Sequence, residues 1–124
     1  MIPKYRMWNE ITSRLHSVDG LYFDSEVAQY KDKVGVSRFI KFKNAILMQS
    51  TGLRDKNGNE IFEGDILSSE SYPVKGAVEY RAKLGMWVNC LKEYSYYEYL
   101  GNVASDREII GNIHENPELL EEKQ

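Results

Sequence analysis

The chain has 124 residues, with 19 acidic and 16 basic side chains and a formal net charge of −3. A chain of this length usually builds one core, so we predict a single domain over residues 1–124 that needs neither a disulfide nor a metal for stability. The negative balance argues against a protein that binds nucleic acid with its whole surface.

Cysteine usage and hydropathy bear on the compartment. The single cysteine, Cys90, cannot form an intramolecular disulfide, which is typical of a reducing cytosol. Residues 1–4 lead directly into a strand-like segment and not into a long apolar core, so we predict no signal peptide. No run of residues is long and apolar enough for a transmembrane helix. The sequence therefore predicts a soluble, cytoplasmic protein with no membrane partner.

The first third of the chain reads as short strands separated by turns. Residues 5–9 alternate aromatic and polar side chains, which predicts a first strand. Residues 17–20 predict a turn, and residues 21–23 and 27–30 predict two more strands. Nine tyrosines against four phenylalanines also favour thin β-sheets, because a tyrosine ring can be buried while its hydroxyl group reaches solvent.

A basic segment follows, residues 31–43, which contains one aspartate. Its five positive side chains are Lys31, Lys33, Arg38, Lys41 and Lys43. On a strand, Phe39 shares one face with Lys41 and Lys43, while Ile40 and Phe42 take the other face. A cationic surface with aromatic rings binds single-stranded nucleic acid through phosphate contacts and base stacking. The alternative, which the net charge favours, is a solvated strand face above a buried apolar one.

The central segment, residues 46–67, combines strands with two glycine-containing turns. The apolar run at residues 46–48 predicts a buried strand, and Asn57-Gly58 predicts a hairpin turn because both residues tolerate a positive φ. Gly64 lies between two strand-like pieces and predicts a bend of the kind found at the corners of small barrels. A calcium loop is excluded by spacing, since the glycine is fourth and not sixth when counted from Asp55. We expect a tight turn with solvated carboxylates.

The last part of the chain predicts three more strands and a helix. Residues 68–73 predict a loop, and residues 74–80, 86–91 and 106–114 predict strands. Residues 94–99 predict either a strand or an irregular aromatic loop. Asn116 and Pro117 predict the start of a short C-terminal helix, with Asn116 as its cap. The pattern as a whole predicts a mainly β fold with a small SH3-like, closed β-barrel core, additional strands and this short helix.

Motifs of catalytic or metal-binding residues are absent from the sequence. His16 and His114 are far apart, and neither has a partner at the spacing of a metal site. The nucleophile elbow and the phosphate-binding loop are also missing. We therefore predict no enzymatic activity, no cofactor and no metal.

The four tyrosines of residues 94–99 are the second candidate for a binding surface. They are Tyr94, Tyr96, Tyr97 and Tyr99. An aromatic patch here favours a protein partner, because the neighbouring Glu93 and Glu98 would repel phosphate groups. Exposed strand edges next to such a patch also predict a homo-oligomer. The alternative is that some of these rings pack in the core.

Three segments carry a family resemblance, and in order they span nearly the whole chain. They are residues 2–8 (IPKYRMW), residues 47–66 (LMQSTGL, DKNG and EGDI) and residues 110–120 (IGNIHENPELL). Together they closely resemble the YopX family, small proteins encoded by bacteriophages and prophages, although Met7 stands where the family more often has a small residue. The resemblance implies a mostly β architecture with a small barrel and no assigned activity. It therefore offers no catalytic residues.

These observations lead to two predictions of function from different classes. The first is a phage or prophage accessory protein of the bacterial cytoplasm that binds a host or phage protein, or itself, through the four tyrosines. The alternative is a small nucleic-acid-binding barrel that uses residues 31–43. An enzyme without a recognisable motif is a third and less supported reading.

Overall fold

The computed structural model describes residues 4–71 and 74–121. Within these residues the fold is mainly β, with twelve strands and one short α-helix, and it contains a curled, half-barrel sheet. The chain divides into two compact units, one ending at Gln49 and the other beginning at Ser50. The single domain expected from the length stays a prediction.

The first unit consists of short antiparallel strands. They are β1 (Tyr5–Asn9), β2 (Arg14–Ser17), β3 (Gly20–Tyr22), β4 (Val27–Lys31), β5 (Ser37–Lys41) and the first half of β6 (Ala45–Arg54). β1 pairs with β2 on one side and with residues 45–49 of β6 on the other. β3, β4 and β5 form a three-stranded sheet in that order. Met7, Ala28 and Ile40 form the centre of this unit's core, so the apolar alternation of β1, β4 and β5 places one face of each strand inside.

The basic segment folds as a turn followed by β5 and a 3₁₀ helix. Asp32 orders the turn, because its Oδ1 accepts hydrogen bonds from the amides of Val34 and Val36 and its Oδ2 accepts one from Arg38 Nε at 3.0 Å. The amide of Val36 and the Arg38 guanidinium together hold the pKa of Asp32 below its ordinary value. β5 ends at Lys41, and Lys43 lies in the 3₁₀ helix Phe42–Asn44. The strand is therefore shorter than the alternation predicts.

The second unit contains a five-stranded antiparallel sheet. The strands of this unit are β7 (Glu60–Phe62), β8 (Asp65–Ser68), β9 (Gly76–Arg81), β10 (Met86–Leu91), β11 (Tyr96–Tyr99) and β12 (Glu108–Asn112). The sheet has the order β11-β10-β9-β8-β12, and β7 pairs separately with residues 50–54 of β6. The α-helix α1 (Leu100–Val103) follows β11, and its buried Leu100 joins Leu67 and Val78 in the core.

The turn at Asn57-Gly58 is confirmed, but its carboxylate is buried. Gly58 has φ +81° in the loop that joins β6 to β7. Asp55 is 5% exposed. Its Oδ1 accepts hydrogen bonds from the amides of Asn57 and Asn59 at 2.9 Å, and its Oδ2 accepts one from the amide of Ile109 at 3.0 Å. The expectation of a solvated carboxylate is therefore wrong for Asp55, which joins the hairpin turn to β12.

The pKa of Asp55 follows from these contacts. Burial by itself raises the pKa of a carboxyl group, but the backbone hydrogen bonds from Ile109, Asn59 and Asn57 outweigh it and lower the pKa of Asp55 below 3.8.

The second glycine bend is also confirmed, since Gly64 has φ +87° between β7 and β8.

A short 3₁₀ helix, Pro117–Leu120, stands where the C-terminal helix is predicted, with Pro117 in its first turn. The predicted cap is wrong, because the side chain of Asn116 makes no capping hydrogen bond to this helix. Its Oδ1 accepts a hydrogen bond from the amide of Asn112 at 3.2 Å instead. Gly111 leaves room for this contact, since a Cβ there would lie 2.5 Å from Asn116 Oδ1.

Candidate interaction surfaces

Three of the four tyrosines lie on an edge strand, β11, and Tyr94 lies in the 3₁₀ helix before it. β11 stands at one end of the five-stranded sheet and, within the described residues, is paired only with β10. The chain reaches it through the 3₁₀ helix Lys92–Tyr94 and through Ser95, which has φ 49°. Residues 94–99 are therefore a tight turn followed by a strand, a combination of the two predicted forms.

Most of these rings face solvent. Tyr94, Tyr96 and Tyr99 are 58%, 63% and 42% exposed, and Tyr97 is half-buried between its neighbours. The Tyr97 ring stacks with Tyr96 at a centroid distance of 6.4 Å and meets Tyr99 edge-on at 5.9 Å. We call these four residues the tyrosine patch. Its exposure places it outside the core.

A cation from β9 extends the tyrosine patch across the sheet. The guanidinium carbon of Arg81 lies 5.2 Å from the centre of the Tyr97 ring, which is the geometry of a cation–π contact. Arg81 Nε donates a hydrogen bond to Glu79 at 2.8 Å, and this bond raises the pKa of Arg81 above its ordinary value. The patch therefore combines aromatic rings with a permanent positive charge.

A surface pocket of about 470 Å³ opens at the tyrosine patch. It is lined by Tyr96, Tyr97, Glu98, Tyr99, Asn102 and Val103. Glu98 accepts two hydrogen bonds from Arg107, at 3.1 and 2.9 Å, and a third from Asn89 Nδ2 at 2.9 Å. Both members of the ion pair are largely buried. The bidentate pairing fixes the Glu98 side chain and compensates its charge.

The predicted basic residues are divided among different parts of the first unit. The register of β3, β4 and β5 puts eight residues on one face, which we call the outer face. They are Gly20, Tyr22, Val27, Gln29, Lys31, Ser37, Phe39 and Lys41. Arg38 belongs to the opposite face, Lys33 lies in the turn before β5, and Lys43 lies in the following 3₁₀ helix. Lys31 and Lys41 are thus brought together with Phe39.

Sequence reasoning did not single out Tyr22, Gln29 or Arg81 for these surfaces. Tyr22 and Gln29 come to the outer face through pairing of β3 and β4, and Arg81 reaches Tyr97 through pairing of β9 with β10. The only local signal is the period-two spacing that puts Tyr22 on the same side as Gly20. Cross-strand register is not visible in one sequence.

Two further features concern metal sites and membrane spans. Within residues 4–71 and 74–121, no group of three or more histidine, cysteine, aspartate or glutamate side chains could hold a metal ion. His16 packs against Tyr30 with ring centres 4.5 Å apart. No helix in the described part of the chain has the length and apolar character needed to cross a membrane.

Comparison with known proteins identifies relatives of known structure. Protein EF1440 from Enterococcus faecalis is 31% identical, with a TM-score of 0.64, and the match covers 98% of this chain and 99% of that one. Protein yopX from Bacillus subtilis is 22% identical, with a TM-score of 0.56, and the match covers 95% and 98% of the two chains; it supports the fold alone. No curated protein matches the sequence. The family described as YopX protein matches residues 4–121, and the chain belongs to the YopX family.

Proposed function

We propose that this protein acts by binding, without enzymatic activity, and that the tyrosine patch holds a protein partner. The observation that carries the proposal is the position of three of the patch's tyrosines on the edge strand β11. An edge strand offers unpaired backbone amides and carbonyls, to which an extended segment of a partner can add as a further strand.

The surroundings of β11 supply the side-chain contacts that such a strand addition needs. Aromatic and arginine side chains contribute most to protein–protein affinity. Tyr96 and Tyr99 line the pocket, and Arg81 contacts the ring of Tyr97 beside them. The pocket volume of about 470 Å³ can hold a large side chain of the added strand. Specificity then comes from the residue that fills the pocket, while the backbone supplies register.

A second copy of the chain is the simplest partner. Two β11 strands that pair antiparallel about a twofold axis continue the sheet from one copy into the other. Tyr97 and Tyr99 are two residues apart and therefore lie on the same face of that continuous sheet. Cross-strand aromatic pairs stabilise such a junction.

The non-enzymatic part of the proposal is supported by the roles of the buried carboxylates. The oxygens of Asp55 are engaged by three backbone amides, and those of Glu98 by Arg107 and Asn89. Such engaged groups hold loops and strands together.

The role as a phage or prophage accessory protein of the bacterial cytoplasm rests on the family resemblance. An SH3-like barrel in the second unit is part of the same proposal, supported by its five-stranded antiparallel sheet and the bend at Gly64.

Sedimentation equilibrium at micromolar concentration tests self-association. We expect an oligomer for the wild type, a shift toward monomer for Tyr96→Ser and Tyr99→Ser, and no shift for Tyr80→Ser. Tyr80 is a matched control, because it is 49% exposed on β9 outside the patch. A wild-type monomer removes the second copy as partner. Affinity purification from phage-infected cells with nuclease treatment, compared with Tyr96→Ser, then tests for another protein.

A second candidate function is nucleic-acid binding on the outer face of the first unit. It is favoured by one observation, the presence of Lys31 and Lys41 on the same face as the exposed Phe39. Fluorescence anisotropy with a labelled single-stranded oligonucleotide at low salt is the test. We expect Lys41→Glu to weaken binding and to flatten the log–log salt dependence by roughly 0.7. Lys83→Glu, in the exposed turn between β9 and β10, is the matched control.

A further inference from the structure

The outer face carries an aromatic side chain that lies close against the sheet. A Cβ atom at Gly20 would be 3.2 Å from Tyr22 Cε2 and 3.3 Å from the Tyr22 hydroxyl. The hydroxyl donates a hydrogen bond to Gln29 Oε1 at 2.8 Å. Gly20 and Gln29 together therefore hold the ring over β3, because the glycine leaves the space and the amide fixes the end of the ring.

A second ring stands next to it. The ring centres of Tyr22 and Phe39 are 6.1 Å apart, with the planes tilted by 57°. Tyr22 is 47% exposed and Phe39 is 61% exposed, so two neighbouring rings are open to solvent on one sheet face. The hydroxyl of Tyr22 already has its partner, and what the pair offers to a ligand is therefore mainly ring surface.

The charge of this face differs from that of the whole chain. Its eight residues include two lysines and no carboxylate, whereas the chain has a net charge of −3. Asp32, the acidic residue of the basic segment, belongs to the opposite side with Arg38, and the two pair at 3.0 Å. The strand residues of the outer face are therefore positive, and this charge is complementary to an anionic ligand.

The lysines stand on either side of the rings. Lys41 is opposite Val27, and Phe39 is opposite Gln29 in the next row. Lys31 is opposite Ser37, one row further along. Four residues of strand between Val27 and Lys31 correspond to about 13 Å, and neighbouring strands are about 4.8 Å apart. A polymeric ligand in which rings alternate with negative charges can thus place one ring on Phe39, between the two lysines.

We infer that Tyr22 and Phe39 form a stacking platform for the unpaired bases of single-stranded nucleic acid, with Lys31 and Lys41 at the flanking phosphates. This inference rests on the second candidate function and adds to it the residues that contact the bases. Bases stack on aromatic rings with little sequence preference. The bases of a duplex are stacked on each other and cannot reach the sheet in this way. Tyr22 contacts the ligand, and Gly20 is a positioning residue.

The test is anisotropy with a fluorescein-labelled 12-nucleotide strand of mixed sequence and with the duplex of the same sequence. We expect Phe39→Ala and Tyr22→Ala each to weaken single-strand binding about 5- to 100-fold, the effect of one base–aromatic contact. Tyr80→Ala, with similar exposure to Tyr22, should bind like the wild type. Gly20→Ala keeps every ring but displaces the Tyr22 ring by a few tenths of an ångström, and should weaken binding less than Tyr22→Ala does. Tyr22→Phe keeps the ring and should have a smaller effect.

The outcomes separate this inference from the function on which it rests. If the wild type shows no binding at ~100 μM, the upper range of non-specific dissociation constants, both are overturned. If Lys31→Glu and Lys41→Glu weaken binding but Phe39→Ala and Tyr22→Ala match Tyr80→Ala, the nucleic-acid function stands and the stacking platform is refuted. Equal binding of duplex and single strand also refutes the platform. Circular dichroism melting of each variant checks that it is folded.

Discussion

Replacing Asp55 with asparagine tests how the hairpin turn of the second unit is held to the sheet. The wild-type carboxylate accepts three backbone hydrogen bonds, and the one from Ile109 joins residues 54 positions apart in the chain. Asn has nearly the same shape but only one acceptor oxygen. If that oxygen faces Asn57 and Asn59, the amide nitrogen faces the Ile109 amide, and two donors meet.

The expected loss of stability follows from the number of hydrogen bonds that the substitution changes. One hydrogen bond to a charged group is lost, at about 1.5–3 kcal/mol, and two others become bonds to a neutral acceptor. We therefore expect Asp55→Asn to lower the free energy of unfolding by ~3 kcal/mol. For a chain of this size that corresponds to a fall in melting temperature of about 10 °C. Asp24→Asn, an exposed change in the turn between β3 and β4, should have little effect.

The same variant has a predicted pH dependence. The folded-state pKa of Asp55 lies below its ordinary value of 3.8. The stability that its ionisation contributes is therefore complete above pH 3.8 and is lost as the pH falls through the folded-state pKa. Asp55→Asn lacks this contribution at every pH, so the difference from the wild type should narrow on acidification from pH 7 to pH 3.

Thermal unfolding followed by circular dichroism at both pH values is the assay. A difference in melting temperature below about 2 °C at pH 7 would contradict the assigned role of the carboxylate. A difference that stays constant down to pH 3 would show that the charge of Asp55 is not what holds the turn.

Three further changes test the packing of the second unit by the same melting assay. Gly58→Ala should lower the free energy of unfolding by ~1–2 kcal/mol, because φ is +81° at this residue while the space around its Cβ is open. Gly101→Ala, also in open space, is the control and should not destabilise the protein. Equal melting temperatures of the two variants would contradict the role of the positive φ. Gly76→Ala should destabilise by at least ~2 kcal/mol, since its Cβ would lie 2.3 Å from Asn89 Oδ1, and an unchanged melting temperature would mean that Asn89 moves freely. Arg107→Met leaves a buried glutamate without its partner and should cost ~3–5 kcal/mol at any salt concentration; a small effect would mean that water reaches the ion pair.

Local patterns were sufficient for most strands and for the two glycine bends. β1 and β10 are found at the predicted residues because short alternating or apolar runs bounded by turn signals are typical of strands. Gly58 and Gly64 have a positive φ, which side-chain-bearing residues rarely adopt, so the sequence marks the turns directly. The family resemblance at three separate segments is confirmed by the match over residues 4–121.

Local patterns were not sufficient for two polar side chains whose hydrogen-bond partners are set by the fold. Asp55 looks like an ordinary turn residue, and only the position of Ile109 explains its burial. Asn116 has the sequence context of a helix cap, but its side-chain oxygen accepts a hydrogen bond from the amide of Asn112 instead. Asp55 gains an added hydrogen bond from the amide of Ile109, and Asn116 accepts one from Asn112 in place of a helix amide. Both outcomes depend on geometry that the local sequence does not contain.

For the candidate surfaces, too, some features follow from local sequence and others only from the fold. Sequence alone determined that a tyrosine-rich segment and a basic segment exist, and period two determined that Phe39 and Lys41 share a face. Tertiary structure decided that Tyr96, Tyr97 and Tyr99 lie on an edge strand and that Arg38 pairs with Asp32. It also decided that Tyr22 lies beside Phe39. The physical reason is that side-chain direction along one strand is set by backbone geometry, whereas neighbours across strands are set by a register that depends on the whole fold.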